Sequence, residues 1–270
     1  MTGESGLVRD GVALRVDDAG GAGLPVIFQH GLGGDARQAA EAFPADAAFR
    51  RLTLECRGHG GSEAGTPDRF SIATFADDVA ALIEATGHGP LVVGGISMGA
   101  AIALRLAVHR PDLVRGLIVA RPAWVTRAGP DSMQPNAEVG LLLATLPADA
   151  ARKAFLAGDT ATLLAEQAPD NLASLLGFFD RSAPAVTAAL LQAIAADGPG
   201  ISEEQVRAIA VPTLIIGHGR DLVHPLAYAR TFAMLIPGSQ LVEITSKADD
   251  RARYVSDFRT AMGGFLKDFP

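Results

Sequence analysis

The chain has 270 residues, of which 49% are hydrophobic and 20% charged, and its formal net charge is −7. That length is ordinary for one α/β domain with an insertion, and no stretch approaches the roughly 20 apolar residues of a membrane span. The acidic balance, without a cluster of lysine and arginine, argues against a nucleic-acid partner. A single cysteine, Cys56, excludes an intrachain disulfide and a cysteine-based zinc site, and we predict that it is buried.

Composition also sets expectations about location and partners. Residues 1–6 lack the basic and apolar regions of a secretory signal, which favours a cytoplasmic protein. Nothing in the sequence supports a metal site or an organic cofactor. We therefore expect a small-molecule substrate, no nucleic acid and no membrane, and a homodimer is left open.

Strands and helices alternate through the first 120 residues. The pattern predicts a hairpin over 7–16, strands over 25–28 and 51–55, a helix over 71–87, a strand over 91–94, a helix over 99–109 and a strand over 115–120. Such alternation is typical of a parallel sheet with helices on both faces.

The alternation stops at Pro122, and residues 122–200 contain helical pieces separated by proline and glycine. The candidate helices are 136–146, 148–156, 160–166, 171–179 and 185–195. A capping-box pattern over 202–205, strands over 212–217 and 240–244 and helices over 228–235 and 250–269 follow. We predict a core from 1–121 and 201–270, a helical cap from 122–200, and a mostly parallel sheet of about eight strands.

The sequence Gly95-Ile96-Ser97-Met98-Gly99 carries the strongest functional signal. A serine bracketed by glycines at a sharp strand-to-helix turn projects its hydroxyl above a sheet, where it can serve as a nucleophile. A five-residue match occurs by chance in a glycine-rich chain, but here a predicted strand precedes the motif and a predicted helix follows it. That context favours a catalytic serine.

Two more glycine-rich turns, residues 29–34 and 57–62, also follow predicted strands. With these three stretches the chain resembles the α/β-hydrolase fold superfamily, in particular its capped esterases, lactonases and carbon–carbon bond hydrolases, over nearly its whole length. The resemblance implies that Ser97 is the nucleophile and that the amides of Leu32 and Met98 form an oxyanion hole. It also implies that Asp221 is the acid that orients a catalytic histidine.

The catalytic histidine itself is missing from its usual place. The family carries it in the loop after the last strand, and that loop, residues 245–251, contains no histidine. Without a base, a hydroxyl with a pKa of about 15 is almost never ionised at neutral pH. The sequence therefore predicts either a displaced base or a different reaction.

Two residues are candidates for the displaced base. His224, three residues beyond Asp221, reaches Ser97 directly or through one water in this hypothesis, and the alternative is that it caps the helix beginning near Pro225. Lys247 acts as a base only if its pKa falls toward neutrality, which nearby Asp249 and Asp250 would oppose.

Four side chains are candidate substrate contacts. They are His30, Trp124 at the entry to the cap, and the cations Arg121 and Lys247, which could hold a substrate carboxylate. His30 belongs to the glycine-rich turn over residues 29–34, which carries Leu32 and is called the oxyanion turn below. Each has a simpler interpretation: turn packing for His30, core packing for Trp124 and a solvated charge for either cation. A further histidine, His59, is expected in a surface turn.

Three functions remain open at this point. The first is hydrolysis of a small, moderately apolar ester, lactone or thioester through Ser97. A second is a cofactor-free lyase, decarboxylase, cyclase or dehydratase that uses the same oxyanion hole without an acyl-enzyme. The third is a non-catalytic ligand-binding protein. The intact serine motif, the glycine-rich turn that carries Leu32, and Asp221 favour catalysis over pure binding, and hydrolysis is the leading interpretation.

Overall fold

Eight strands form one sheet in the computed structural model, which describes residues 4–270. They are β1 (Glu4–Arg9), β2 (Val12–Asp18), β3 (Leu24–Gln29), β4 (Phe49–Leu54), β5 (Leu91–Ile96), β6 (Val114–Ala120), β7 (Thr213–Gly217) and β8 (Gln240–Glu243). Their order is β1-β2-β4-β3-β5-β6-β7-β8, with β1 and β2 antiparallel to their neighbours and the other strands parallel. The predicted mostly parallel sheet is confirmed.

Eleven α-helices accompany the sheet within the described residues. They are α1 (Ala36–Ala42), α2 (Ile72–Thr86), α3 (Met98–His109), α4 (Gln134–Thr145), α5 (Ala148–Leu156), α6 (Asp159–Gln167), α7 (Pro169–Leu176), α8 (Pro184–Ala196), α9 (Glu203–Arg207), α10 (Leu226–Leu235) and α11 (Arg251–Leu266). Helices α4 to α8 lie within residues 122–200, where the sequence predicts five helices and where the structure, which describes all of these residues, has no strand. None of the helices within 4–270 combines the length and apolarity needed to cross a membrane.

Helix α1 is the one helix that the sequence analysis missed. It has only seven residues, too few for a clear apolar period. Its start is nevertheless encoded, because the Asp35 carboxylate accepts hydrogen bonds from the amides of Arg37 and Gln38.

The apolar core follows from strand alternation. Neighbouring residues of one strand point to opposite faces, so Val26 and Val92 pack with α1 and α11, whereas Ile27 and Val93 pack with α2 and α3. Helices α4 to α8 have an apolar cluster of their own, which includes Phe155. The carboxyl ends of the parallel strands face this layer, and that edge holds the candidate site.

Candidate active site

Ser97 lies at the turn between β5 and α3 in a strained backbone conformation. Its φ is 57° and its ψ −111°, a region that residues other than glycine rarely adopt. The Ser97 amide donates to the Ala120 carbonyl at 3.0 Å, which ties the turn to β6. The side chain lines a cavity, and within residues 4–270 its hydroxyl has no hydrogen-bond partner. The hydroxyl is therefore available to a ligand.

The glycines around Ser97 allow three backbone segments to approach closely. A Cβ on Gly95 would lie 2.6 Å from the Gly99 carbonyl carbon. A Cβ on Gly99 would lie 2.5 Å from the carbonyl oxygen of Gln29 and 2.8 Å from that of His30. Since both contacts are with backbone, no rotamer change relieves them, and glycine is required at each position.

We expect Gly99→Ala to lower the free energy of unfolding by about 3 kcal/mol, because the added methyl group forces α3 away from β3. A matched control is Gly264→Ala in α11, where the new methyl group meets nothing within 4 Å. That change should raise the free energy of unfolding by about 0.5–1 kcal/mol. Denaturant unfolding checks both, and an unchanged midpoint for Gly99→Ala would contradict the close packing.

The turn after β3, which carries the Leu32 amide, packs against Ser97. A Cβ on Gly31 would lie 3.4 Å from the Ser97 Cβ, so this turn packs directly against the serine. The Gly31 amide donates to Gln38 Oε1 at 2.7 Å, which fixes the turn. Neither the Leu32 amide nor the Met98 amide has an acceptor within residues 4–270. The Met98 amide also lies at the N-terminus of α3, where the helix dipole favours negative charge.

The cavity above Ser97 has a volume of about 280 Å³. Five of the sequence-predicted site residues line it: Leu32, Ser97, Arg121, His224 and Lys247. Helix α7 and the segment after it contribute further lining residues, which include Asn171, Ser174, Phe178 and Arg181. The site is thus formed between the strand ends and the helical layer.

His224 lines the cavity and pairs with Asp221, which is not part of the lining. Nδ1 of His224 lies 3.0 Å from each carboxylate oxygen of Asp221, and the His224 amide donates to Oδ1 at 2.9 Å. Nη2 of Arg121 also lies 3.2 Å from Nδ1. We assign the proton to Nδ1, because two carboxylate oxygens lie closer to it than this guanidinium nitrogen does, and an unprotonated Nδ1 would face their lone pairs. The basic nitrogen is then Nε2, which has no hydrogen-bond partner within residues 4–270.

Arg121 is the counter-ion of Asp221. Its Nε and Nη2 donate to Oδ2 of Asp221 at 3.1 and 2.6 Å, and its Nη1 donates to the Tyr254 hydroxyl at 3.2 Å. Burial raises the pKa of the Asp221 carboxyl, but His224 and Arg121 together hold it well below its usual value. Asp221 is therefore a carboxylate at neutral pH, although its side chain is fully buried.

The pKa of His224 is lowered from its ordinary value of 6.5. The main cause is burial, which disfavours the imidazolium, and Arg121 acts in the same direction. The Asp221 carboxylate opposes this shift. His224 is accordingly neutral at pH 7, the state in which an imidazole accepts a proton.

Lys247 pairs with a residue that the sequence analysis did not consider. Its ammonium lies 2.9 Å from Oδ1 of Asp170 in α7. The two aspartates close to Lys247 in sequence have other roles, because Asp249 binds Arg220 and Asp250 caps α11. This ion pair occupies the ammonium, which suits Lys247 to binding better than to proton abstraction.

The structure places His30 and Trp124 outside the cavity wall, contrary to their role as candidate substrate contacts. Both His30 nitrogens are engaged: Nδ1 lies 2.8 Å from the Gly31 carbonyl oxygen, and Nε2 accepts from the Cys56 amide at 3.0 Å. Trp124 is 1% exposed and donates to the Asp197 carbonyl at 2.8 Å. Both side chains therefore pack in the interior.

Cys56 is buried, as predicted. The prediction that His59 lies in a surface turn is wrong. His59 is 1% exposed, because its turn folds back so that its ring lies 4.9 Å from the ring of His30. Burial lowers the pKa of His59 to about 3.

Helix α7 forms hydrogen bonds with the loop that carries His224, a structural role that the sequence analysis did not predict. Oδ1 of Asn171 accepts from the amides of Leu222 and Val223 at 2.8 and 3.1 Å. The same helix carries Asp170, the partner of Lys247. The available sequence signals were only polar residues in the first turn of a predicted helix, which ordinarily face solvent.

Comparison with known proteins agrees with this architecture. Residues 25–248 match the family model of the alpha/beta hydrolase fold. BpoC of Mycobacterium tuberculosis, named for a non-heme bromoperoxidase activity, is 31% identical over 242 residues, which is 86% of this chain and 89% of BpoC. RutD of Klebsiella pneumoniae, named for a carbamate hydrolase activity, is 29% identical over 239 residues and 86% of each chain.

Solved structures show the same fold. An enol-lactonase from Burkholderia xenovorans LB400 superposes with a TM-score of 0.72 at 24% identity, over 97% of this chain and 100% of that chain. The crystal structure of BpoC superposes with a TM-score of 0.67 at 26% identity, over 97% of each chain. The chain therefore belongs to the α/β-hydrolase fold family and is an enzyme of that fold.

Proposed function

We propose that this protein hydrolyses a small, moderately apolar ester, lactone or thioester through Ser97, with His224 as the base and Asp221 orienting it. One observation carries the proposal: the Asp221 carboxylate holds Nδ1 of His224, and the imidazole lines the same cavity as the Ser97 hydroxyl. A histidine only three residues beyond the acid thus replaces the one missing from the loop after β8.

The reaction begins with proton removal from Ser97. Ser97 and His224 share no direct hydrogen bond, so one bridging water carries the proton from Oγ to Nε2. The oxygen attacks the substrate carbonyl, and the amides of Leu32 and Met98 stabilise the oxyanion. The imidazolium then protonates the leaving group, and a second water hydrolyses the acyl-enzyme to release the acid.

Arg121 contributes to the lowered pKa of His224, the proposed base. It neutralises part of the Asp221 charge that would otherwise stabilise the imidazolium, and so it contributes to the lowered pKa of His224. A base with a lowered pKa remains neutral in mildly acidic solution, but it is also a weaker proton acceptor. We therefore expect slow acylation that persists below pH 6.5.

A second candidate function follows from the unpartnered Ser97 hydroxyl. Because no basic nitrogen within residues 4–270 bonds to it directly, the hydroxyl can donate to a substrate carbonyl together with the amides of Leu32 and Met98. Such a site would polarise a β-keto or enolisable substrate in a cofactor-free lyase, decarboxylase, cyclase or dehydratase reaction. No acyl-enzyme would form in that case.

Labelling with a fluorophosphonate at different pH values tests the proposal. We expect modification of Ser97, with a rate that is constant above about pH 6.5 and falls as the pH drops through the lowered pKa of His224, because the protonated imidazole cannot accept a proton. Mass spectrometry of the labelled peptide identifies the residue. A rate that keeps rising above pH 9 would indicate a lysine base, and no labelling with turnover of a β-keto substrate would favour the second candidate.

A further inference from the structure

Three cationic side chains line the cavity, and they differ in their partners. Arg121 is bonded to Asp221, and Lys247 is bonded to Asp170. For Arg181, no carboxylate oxygen within residues 4–270 lies within 4.0 Å. The three cations of the cavity wall therefore have two carboxylate partners, Asp221 and Asp170. The guanidinium of Arg181 is the cation without a carboxylate partner among the described residues.

Arg181 follows α7 and reaches from the helical layer to the oxyanion turn. Its Nη2 donates to the Gly33 carbonyl, and its Cζ lies 5.5 Å from the centre of the Phe178 ring. Burial lowers the pKa of Arg181, and the carboxylate that opposes this shift, Asp35, is itself bonded to Arg37. A partly desolvated cation without a counter-ion gains more from an added anion than a solvated one does.

We propose that Arg181 binds a carboxylate of the substrate, so that the enzyme prefers monoanionic esters or lactones to neutral ones. The planar guanidinium suits a carboxylate because it offers two parallel hydrogen bonds. This inference rests on the proposed function for the identity of the reacting carbonyl, while the binding itself does not depend on hydrolysis.

The position of Arg181 limits the size of this substrate. Gly33, whose carbonyl Arg181 contacts, directly follows Leu32, the proposed oxyanion donor, and neighbouring Cα atoms are about 3.8 Å apart. The cavity volume of about 280 Å³ also suits a small molecule. The carboxylate and the reacting carbonyl are therefore separated by only a few atoms.

A purely structural role makes a different prediction. If Arg181 serves only to hold the helical layer on the oxyanion turn through Gly33 and Phe178, its replacement lowers the melting temperature without changing the preference between charged and neutral ligands. Selectivity between two ligands of the same shape thus separates the two roles.

The test is calorimetric binding of monomethyl succinate and dimethyl succinate to the Ser97→Ala protein, which cannot form an acyl-enzyme. We expect the monoanion to bind about tenfold more tightly than the neutral diester. Adding Arg181→Gln should abolish this preference, and Arg181→Lys, which keeps the charge, should retain part of it. A matched control is Arg152→Gln, which removes an exposed cation of α5 paired with Asp180 and should keep the full preference.

Equal affinities for the two esters would overturn the proposal, as would an unchanged preference in Arg181→Gln. Loss of the preference in Arg152→Gln would also overturn it, because the effect would then reflect general charge. Melting temperatures of all variants confirm folding. Failure of Ser97 to be labelled by the fluorophosphonate would refute the proposed hydrolysis and leave this binding result standing.

Discussion

Replacement of Ser97 by alanine is expected to lower kcat/KM for a small ester by about 10⁴-fold or more, because the enzyme then lacks the nucleophilic oxygen that forms the acyl-enzyme. The strained turn should persist, since the Ser97 amide and not its hydroxyl donates to the Ala120 carbonyl. Residual turnover would come from water attacking a carbonyl polarised by the amides of Leu32 and Met98. Steady-state kinetics on a nitrophenyl ester measures the loss.

Ser174 supplies the matched control for this experiment. It is a second serine on the wall of the same cavity, and it lies in α7 rather than at the strand-to-helix turn. Ser174→Ala should change kcat/KM by no more than about threefold, because it removes one polar contact at most. Comparable losses in the two variants would contradict the role of Ser97 as nucleophile.

His224→Ala is expected to lower kcat by about 10³-fold, in the range that general-base catalysis contributes. The change leaves Asp221 paired with Arg121, so no buried charge loses all its partners and the fold should survive. Exogenous imidazole should restore part of the rate, because the cavity opened by the truncation lies beside Asp221. Single-turnover acylation and thermal melting measure the two effects.

Lys247→Met distinguishes the two candidate bases. If His224 is the base, this variant should retain kcat within about tenfold, since it removes a cation that is already paired with Asp170. A loss in Lys247→Met as large as that expected for His224→Ala, together with a nearly active His224→Ala, would assign the base to Lys247.

In the proposed mechanism, the pair formed by Asp221 and His224 takes the place of a histidine after β8. Both residues lie in the loop that follows β7, and Asp221 accepts the His224 amide as well as facing its ring. In that mechanism, the proposed acid positions the proposed base within one short loop. Asn171 strengthens this arrangement because it binds the two intervening amides.

The sequence was most informative where function depends on local backbone geometry. Glycines at 95 and 99 are required by close backbone contacts, and the strand and helix around Ser97 follow from short-range hydrophobic periodicity. The family resemblance also pointed to the glycine-rich turn over residues 29–34, which packs against Ser97. The same resemblance predicted Asp221 as the orienting acid and drew attention to residues 245–251, which contain no histidine.

The sequence could not predict which partners the charged side chains have in the folded chain. Arg121 and Asp221 are 100 residues apart in sequence, and Arg181 and Gly33 are 148 apart, so no local pattern links them. The sequence analysis considered only the neighbouring aspartates for their influence on Lys247, whereas the folded chain supplies Asp170 from α7 as its partner. His30 and Trp124 were misplaced for the same reason, since their hydrogen-bond partners come from distant segments.

The sequence by itself determined the order of strands and helices, the family and the position of the serine, because each depends on residues within a few positions of one another. Only the tertiary structure decided which nitrogen faces the cavity, which cations are neutralised and which remains unpaired. Those outcomes depend on burial and on distances between remote side chains, and both are set when the helical layer packs on the strand ends.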